Sequence, residues 1–251
     1  MPRQWWTGVL LLLYTFYMQQ KIGIRAVVFD VDGTLYPASS LYMRCIDMFI
    51  AHPRIVLEFS AARKELRSLQ MQHGYIPQNK EDLHRLQASL MAQHLHIDQP
   101  HAQTANRARE LMEQLFYLEL PKRFASIRPY PEVRATIEKI RGSGIRVAAL
   151  SDLPPQEKIY ALGLSDLFER SFCTEDFGVL KPHPRAFEGM AEALGIDFSE
   201  ILYVGNNIQY DIEGPKRVGM RAARRGRRCP GADLSFSRWR ELADWLLTDK
   251  G

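Results

Sequence analysis

Six polar side chains follow four apolar segments of the sequence, each of which predicts a β-strand. The segments lie within AVVFDVD, IRVAALSD, FERSFCTED and ILYVGN. The six side chains are Asp30, Asp32, Ser151, Lys181, Asn206 and Asp211. In open α/β sheets, ligands bind beyond the carboxyl ends of the parallel strands. We therefore expect the six to meet at one edge of a sheet.

The grouped carboxylates predict metal-assisted chemistry. Asp30, Asp32 and Asp211 would repel one another unless a cation lies among them, and their oxygen ligands suit Mg²⁺. A carboxylate can attack phosphorus to form an aspartyl-phosphate, and a second carboxyl can protonate the leaving oxygen and then activate water. Lys181 and the Ser151 hydroxyl can hold phosphate oxygens. These residue types predict Mg²⁺-dependent phosphoryl transfer.

Each group also has a purely structural interpretation. Two aspartates at a strand end often form a turn, a serine or aspartate often caps a helix, and a lysine before proline is usually solvated. Because four such groups follow four predicted strands in order, the catalytic interpretation is favoured.

The segments around these residues predict alternating strands and helices. Residues 26–32 form an apolar, β-branched run, and from about residue 128 amphipathic helices alternate with apolar strands. This alternation predicts a parallel sheet covered on both faces. We expect a doubly wound, Rossmann-like α/β core made of residues 22–37 and 128–251.

Residues 38–127 have helical spacing and almost no strand signal, which predicts an α-helical cap of roughly four helices. A cap closing over the cleft would exclude bulk water and large polymers. Arg44 and Arg54, early in the cap, could reach an anionic group of a substrate, although most such arginines are solvated. The cap histidines lack the spacing of a metal site; they are His73, His84, His94, His96 and His101.

Composition narrows the class of protein. Hydrophobic residues make up 46% and charged residues 25% of 251 residues, which excludes disorder and collagen-like repeats for the whole chain. The net charge of +4 is too small for a nucleic-acid signature, so no nucleic-acid partner is expected. Three scattered cysteines fit a reducing compartment, and we expect a cytoplasmic protein. Oligomeric state does not follow from the sequence.

Residues 4–20 carry no charge and hold the apolar run WWTGVLLLLYTFYM. Seventeen helical residues barely cross a ~30 Å hydrocarbon layer. Residues 1–21 are therefore interpreted as an apolar extension, either a weak membrane tether or a start placed ahead of a domain that begins near Ile22. The basic run RAARRGRR (221–228) is interpreted as an edge strand whose charges prevent pairing with other sheets.

The motifs resemble those of the haloacid dehalogenase-like (HAD) hydrolases, in the subgroup of phosphatases with a helical cap between the first and second motifs. FDVDGTLYP resembles the first motif, which places Asp30 in the nucleophile position and Asp32 in the acid/base position. ALSD resembles the second, with Ser151 on phosphate, and GVLKPHPRAF the third, with Lys181. VGNNIQYDIEGPKRVGM resembles the fourth, with Asp211 as its closing acid.

The resemblance also narrows the reaction. Family members that cleave carbon–halogen or carbon–phosphorus bonds typically lack an aspartate at the position of Asp32, whereas phosphatases and phosphomutases keep it. The fourth motif usually reads Gly-Asp, and Asn206 replaces that aspartate here. Its amide oxygen can still serve the metal, with one negative charge fewer. Asp152 replaces the asparagine usual after Ser151, and we expect its carboxylate to point away from phosphate.

The resemblance implies a Mg²⁺-dependent phosphatase that hydrolyses a small soluble phosphomonoester through an aspartyl-phosphate. Phosphosugars, phosphoglycolate or nucleotides are plausible substrates. The metal ligands would be Asp30, Asp32, Asn206 and Asp211. Two alternatives stay open: a phosphomutase with the same catalytic residues, and a HAD-like binding or regulatory protein in which Asn206 marks weakened catalysis.

Overall fold

Six parallel strands form one sheet in the order β3-β2-β1-β4-β5-β6, in a computed structural model that describes residues 23–95 and 101–248. The strands are β1 (Ala26–Phe29), β2 (Arg146–Ser151), β3 (Arg170–Cys173), β4 (Ile201–Gly205), β5 (Arg221–Arg225) and β6 (Leu234–Phe236). β1 pairs with β2 and β4, so that Phe29 lies opposite Ala149 and Val204. The carboxyl ends of β1, β2 and β4 are therefore adjacent.

Helices cover both faces of the sheet because successive strand residues point to opposite sides. Val27 and Phe29 of β1 face the cluster that contains Ile137 and Trp239. Ala26 and Val28 face the other cluster, which contains Phe187. The core helices are α6 (Val133–Gly142), α7 (Gln156–Ala161), α8 (Pro184–Leu194), α9 (Gly214–Arg217) and α10 (Trp239–Leu247). The prediction of a doubly wound α/β core is confirmed.

The segment between β1 and α6 is helical. It contains α1 (Ala38–Arg44), α2 (Ile46–Ala51), α3 (Pro53–His73), α4 (Lys80–Leu95) and α5 (His101–Met112). A π-helical turn (Glu113–Glu119), a helical turn (Leu120–Lys122) and a 3₁₀ turn (Arg123–Ser126) continue α5. The backbone leaves helical geometry at Cys45, between α1 and α2. We refer to residues 38–127 as the cap, and these boundaries stay a prediction.

The arginine-rich strand is not an edge strand, so that prediction is wrong. β5 pairs with β4 on one side and with β6 on the other. β6 contains only three residues, LSF, which is too short to give a recognisable alternation in the sequence.

The apolar segment 4–20 lies outside the described residues. Within the described parts of the chain, no helix is long and apolar enough to cross a membrane.

Candidate active site

The loop after β1 brings its two aspartates to the carboxyl edge of the sheet. Asp30 accepts a hydrogen bond at Oδ2 from Thr34 Oγ1 (2.7 Å), which ties the nucleophile position to its own turn. Gly33 has a φ of 80°, in the left-handed region that favours glycine. A Cβ atom there would overlap the Asn206 side chain. The turn after β1 therefore requires glycine at position 33, where the first motif approaches Asn206 of the fourth motif.

Lys181 joins two of the predicted acids. Its Nζ donates to Asp30 Oδ1 (2.7 Å), to Asp211 Oδ1 (2.8 Å) and to the Tyr203 hydroxyl oxygen (3.0 Å). Burial favours the neutral amine, but the charges of Asp211 and Asp30 outweigh it and hold the pKa of Lys181 well above its usual value. Burial raises the pKa of Asp30 to about 7, against the attraction of Lys181. The ammonium is thus the cation that lies between the carboxylates here.

Asp211 is fixed by the backbone of the fourth motif. Its Oδ2 accepts from the amides of Asn206 (3.1 Å) and Asn207 (2.9 Å). A Cβ atom at Gly205 would overlap the Asp211 side chain, so the glycine at the end of β4 permits this close approach. Arg224 Nε donates to the Asn206 carbonyl (3.3 Å), which links the loop to β5.

Asp32 belongs to a second network. Its Oδ1 accepts from the Tyr36 hydroxyl (2.7 Å), and its Oδ2 accepts from Ser151 Oγ (3.1 Å) and Lys158 Nζ (2.5 Å). Burial acts to raise the pKa of Asp32, but the charge of Lys158 and these hydrogen bonds lower it below its usual value. These contacts therefore favour the ionised form of the carboxyl group in the acid/base position.

One cavity of about 290 Å³ joins the two networks. All six predicted site residues line it: Asp30, Asp32, Ser151, Lys181, Asn206 and Asp211. Four sequence-distant segments thus converge on one cavity, as the strand-end argument predicts. The cap contributes Ala38, Leu41 and Tyr42 to its wall, and the fourth motif contributes Tyr210.

Asp152 contacts both Arg67 of the cap and the loop that carries Lys181. Its Oδ1 accepts from Thr174 Oγ1 (2.8 Å) and from the Lys181 amide (3.0 Å), and its Oδ2 pairs with Arg67 Nη2 (2.8 Å). Although burial opposes ionisation, the charges of Arg67 and Lys181 hold the pKa of Asp152 far below its usual value. The carboxylate that replaces the usual asparagine is therefore neutralised by a cap arginine.

Three side chains on one face of α3 bind the loops that carry the second and third motifs. Arg63 Nη2 donates to the Asp152 carbonyl (3.2 Å), and Arg67 Nε donates to the Lys181 carbonyl (2.9 Å). Gln70 donates to the Gly178 carbonyl (3.0 Å) and accepts from the Leu180 amide (3.1 Å). We call this set of contacts the α3 clamp.

Glu175 anchors the clamp from the core side. Its side chain is fully buried and pairs with Arg63 Nη1 (2.6 Å). It also lies 3.1 Å from His84 Nε2 and accepts from the Tyr117 hydroxyl (2.7 Å). His84 is thus part of a buried polar cluster. The side chains of His73, His94, His96 and His101 lie outside the described part of the structure.

The residues that sequence reasoning did not single out are mainly donors to the predicted acids. Lys158 and Tyr36 bind Asp32, and Tyr203 binds Lys181. Lys158 follows Ser151 by seven residues on a short amphipathic helix, where a lysine normally indicates a solvated face. Of these three residues, Tyr36 could have been identified from the sequence, because it lies within FDVDGTLYP, the segment that resembles the first motif.

The oxygen donors near Asp30 fit Mg²⁺, which prefers carboxylate and carbonyl oxygens. Asp30 and Asp211 present carboxylates to the cavity, and Asn206 adds an amide. The Asp32 carboxylate, by contrast, binds Tyr36, Ser151 and Lys158. Across residues 23–95 and 101–248, no group of three or more His, Cys, Asp or Glu side chains is arranged as a metal site. A bound ion would thus use Asn206 or backbone oxygen as well.

Comparison with known proteins gives the same family as the motifs. The model of haloacid dehalogenase-like hydrolases matches residues 24–219. The chain is 30% identical to a glyceraldehyde 3-phosphate phosphatase of Methanopyrus kandleri over 203 residues, which cover 78% of this chain and 82% of the relative. It is 25% identical to haloacetate dehalogenase H-2 of Moraxella sp. over 78% of this chain and 83% of the relative.

A solved structure shares the fold. The HAD phosphatase from Thermococcus onnurineus superposes with a TM-score of 0.57 at 23% identity, and the match covers 89% of this chain and 98% of that one. The family match spans β1 to β4, residues 38–127 and all six predicted site residues. The chain is therefore an enzyme that belongs to the haloacid dehalogenase-like hydrolases.

Proposed function

We propose that this hydrolase is a phosphatase that cleaves a small phosphomonoester with the help of Mg²⁺. The observation that supports this most directly is the convergence of Asp30, Asp32, Ser151 and Lys181 on one cavity of about 290 Å³. Its volume suits a small metabolite. The similarity to a glyceraldehyde 3-phosphate phosphatase over most of both chains supports the same reaction class.

In the first step, Asp30 attacks phosphorus. A bond forms between a carboxylate oxygen of Asp30 and phosphorus, while the bond from phosphorus to the leaving alcohol breaks. The alcohol oxygen takes a proton from Asp32, which must be protonated for this step. Lys181 holds phosphate oxygens in this step, a role supported by the 2.7 Å distance from its Nζ to Asp30 Oδ1.

In the second step, water replaces the enzyme as the phosphoryl acceptor. Asp32 removes a proton from water, the water oxygen bonds to phosphorus, and the bond to Asp30 breaks to release phosphate. The three donors that hold Asp32 ionised favour this base role. Asp30, Asn206 and Asp211 would hold Mg²⁺, which supplies positive charge against the phosphate oxygens when bound.

The retained Asp32 favours phosphate esters over haloacids. A halide leaves as a stable anion, whereas the alkoxide of a phosphate ester needs a proton. Asp32 lies in the same cavity as Asp30, with 38% of its side chain exposed to receive a leaving group. This argument favours a phosphatase although a haloacetate dehalogenase is also among the relatives.

The proposal is tested by phosphate release from a panel of phosphomonoesters, with Mg²⁺ and after chelation by EDTA. We expect release that requires Mg²⁺, with free phosphate rather than an isomerised sugar phosphate as the product. Asp30→Asn should lower the rate by about 10³-fold or more, because the nucleophile is lost. Asp176→Asn is the matched control, since Asp176 is 57% exposed and outside the cavity.

Three results would contradict the proposal. Wild-type rates in Asp30→Asn would exclude the covalent step. Release that is unaffected by EDTA would exclude Mg²⁺ dependence. Release of halide from 2-haloacids, with no phosphate from any ester, would assign the cavity to the other reaction of the family.

A further inference from the structure

The exposed part of the cavity lining includes aromatic and aliphatic side chains beside the amides of Asn206 and Asn207. Leu41 and Tyr42 come from α1 of the cap, and Tyr210 comes from the fourth motif. The groups that hold the phosphate, Lys181 and Asp30, are almost fully buried. A phosphate bound there would direct its alcohol toward this wall, where Tyr42 is 61% exposed.

Negative charge dominates the cavity lining. Asp32 and Asp152 line it together with Asp30 and Asp211, whereas Lys181 is the one cation among its described lining residues. Lys181 is already bonded to Asp30 and Asp211. No second cation of the described lining is therefore available for a second anionic group on the substrate.

Nearby cations outside the lining do not change this balance, because Lys158 is already bonded to Asp32. The Arg67 guanidinium pairs with Asp152 Oδ2, and its Cζ lies 4.6 Å from the centroid of the Tyr210 ring. Its charge is therefore already paired with a carboxylate of the protein. Arg44 and Arg54, which the sequence suggested for an anionic substrate group, are not among the described residues that line the cavity. A carboxylate or second phosphate on the leaving group would meet Tyr42, Leu41 and Tyr210 without a free cation among the described lining residues.

We infer that the leaving group of the substrate is an uncharged alcohol, such as a short hydroxyaldehyde or sugar, and not a carboxylate or a second phosphate. This inference rests on the proposed phosphatase function. An uncharged group loses little hydration energy against Leu41, Tyr42 and Tyr210, whereas an anion without a cationic partner would lose much more.

The test uses two esters that share a three-carbon skeleton and differ in one group. Glyceraldehyde 3-phosphate carries an aldehyde, and 3-phosphoglycerate carries a carboxylate at the same carbon. With the full chain and saturating Mg²⁺, we expect kcat/KM to be at least about tenfold higher for the aldehyde ester. An equal or higher kcat/KM for 3-phosphoglycerate would overturn the inference.

Para-nitrophenyl phosphate, whose leaving group is an aromatic alcohol, distinguishes failure of the phosphatase function from failure of the inference on leaving-group charge. If it is hydrolysed and the carboxylated ester is preferred, the phosphatase function stands and the inference on charge fails. If none of the three esters releases phosphate, the proposed function fails and the inference fails with it.

A pair of variants tests whether this wall contacts the leaving group. Tyr42→Arg adds a cation at an exposed position, and Tyr42→Gln is the uncharged control. We expect Tyr42→Arg to raise the ratio of 3-phosphoglycerate to glyceraldehyde 3-phosphate turnover about two- to fivefold over Tyr42→Gln, as for an exposed ion pair. Turnover of para-nitrophenyl phosphate by both variants verifies folding. An unchanged ratio would overturn the assignment of this wall.

Discussion

Asn206 lies beside Asp211 in the proposed metal site and carries an amide where the family usually has a carboxylate. Asn206→Asp should lower the Mg²⁺ concentration for half-maximal activity about 3–10-fold, because a carboxylate attracts a divalent cation more strongly than an amide dipole. A Mg²⁺ titration of the rate measures this. At saturating Mg²⁺ the rate should rise or stay level, since the cation offsets the added charge.

The control for that prediction adds the same charge one residue away. Asn207 Oδ1 accepts from the Tyr210 amide, and an aspartate preserves such a cap. Asn207→Asp should move the Mg²⁺ midpoint much less than Asn206→Asp. If Asn206→Asp leaves the Mg²⁺ concentration for half-maximal activity unchanged, residue 206 lies outside the coordination and hydrogen-bond shells of the metal ion.

We expect Lys158 to influence the proposed reaction through its contact with Asp32. It is 2% exposed, and its Nζ lies 2.5 Å from Asp32 Oδ2. Lys158→Met should raise the pKa of Asp32, because the charge that favours the ionised carboxylate is removed. The base-dependent second step should then slow about tenfold or more, and phosphoenzyme should accumulate. Mass spectrometry of acid-quenched enzyme during turnover measures this.

Lys158→Arg should restore a low level of phosphoenzyme because it keeps the charge. A purely structural role for Lys158 would lower both steps together, without accumulation. That result would remove the assignment of Lys158 as a positioning residue.

At the scale of elements, the α3 clamp connects the cap to the core through Glu175. Glu175→Gln leaves Arg63 buried without its counter-charge, and the free energy of unfolding should fall by about 3 kcal/mol or more. Denaturant unfolding measures this. Asp166→Asn is the control, because the Arg134–Asp166 pair is exposed and should contribute far less.

The Arg63–Glu175 ion pair also predicts that the free energy of unfolding depends on pH. Burial opposes ionisation of Glu175, but Arg63 and His84 hold its pKa below the ordinary value of 4.5. A depressed pKa stabilises the folded state above pH 4.5, and this stabilisation is lost as pH falls through the folded-state pKa. The difference in unfolding free energy between wild type and Glu175→Gln should therefore shrink below about pH 4.5. A constant difference down to pH 3 would contradict this origin.

The sequence predicted β1 to β5 and the meeting of six polar side chains at one cavity, because both depend on local patterns, whereas the three-residue strand β6 gave no such pattern. Apolar runs gave the strands, and the polar residues after each strand could only meet at one sheet edge. The clamp could not be predicted in this way. Arg63 and Glu175 are 112 residues apart, and their contact depends on how the cap packs on the core. Neither residue differs locally from an ordinary solvated charge.

At the scale of the whole molecule, the described fold begins close to β1. Every described residue that lines the cavity lies between Asp30 and Asp211. Removal of residues 1–17 should therefore leave a monodisperse protein with kcat/KM within about twofold of the full chain. Size-exclusion chromatography and the phosphate-release assay measure this. Aggregation or loss of activity would show that these residues belong to the folded body.

The α3 clamp has a consequence for local unfolding. Its side chains bind backbone groups of Asp152, Gly178, Leu180 and Lys181, so α3 cannot detach without releasing the loops that hold Ser151 and Lys181. The cap and the catalytic loops should then open as one cooperative unit. Amide hydrogens of α3 and of both loops would exchange with solvent at the same free energy, and partial opening would remove the cap and the active site together.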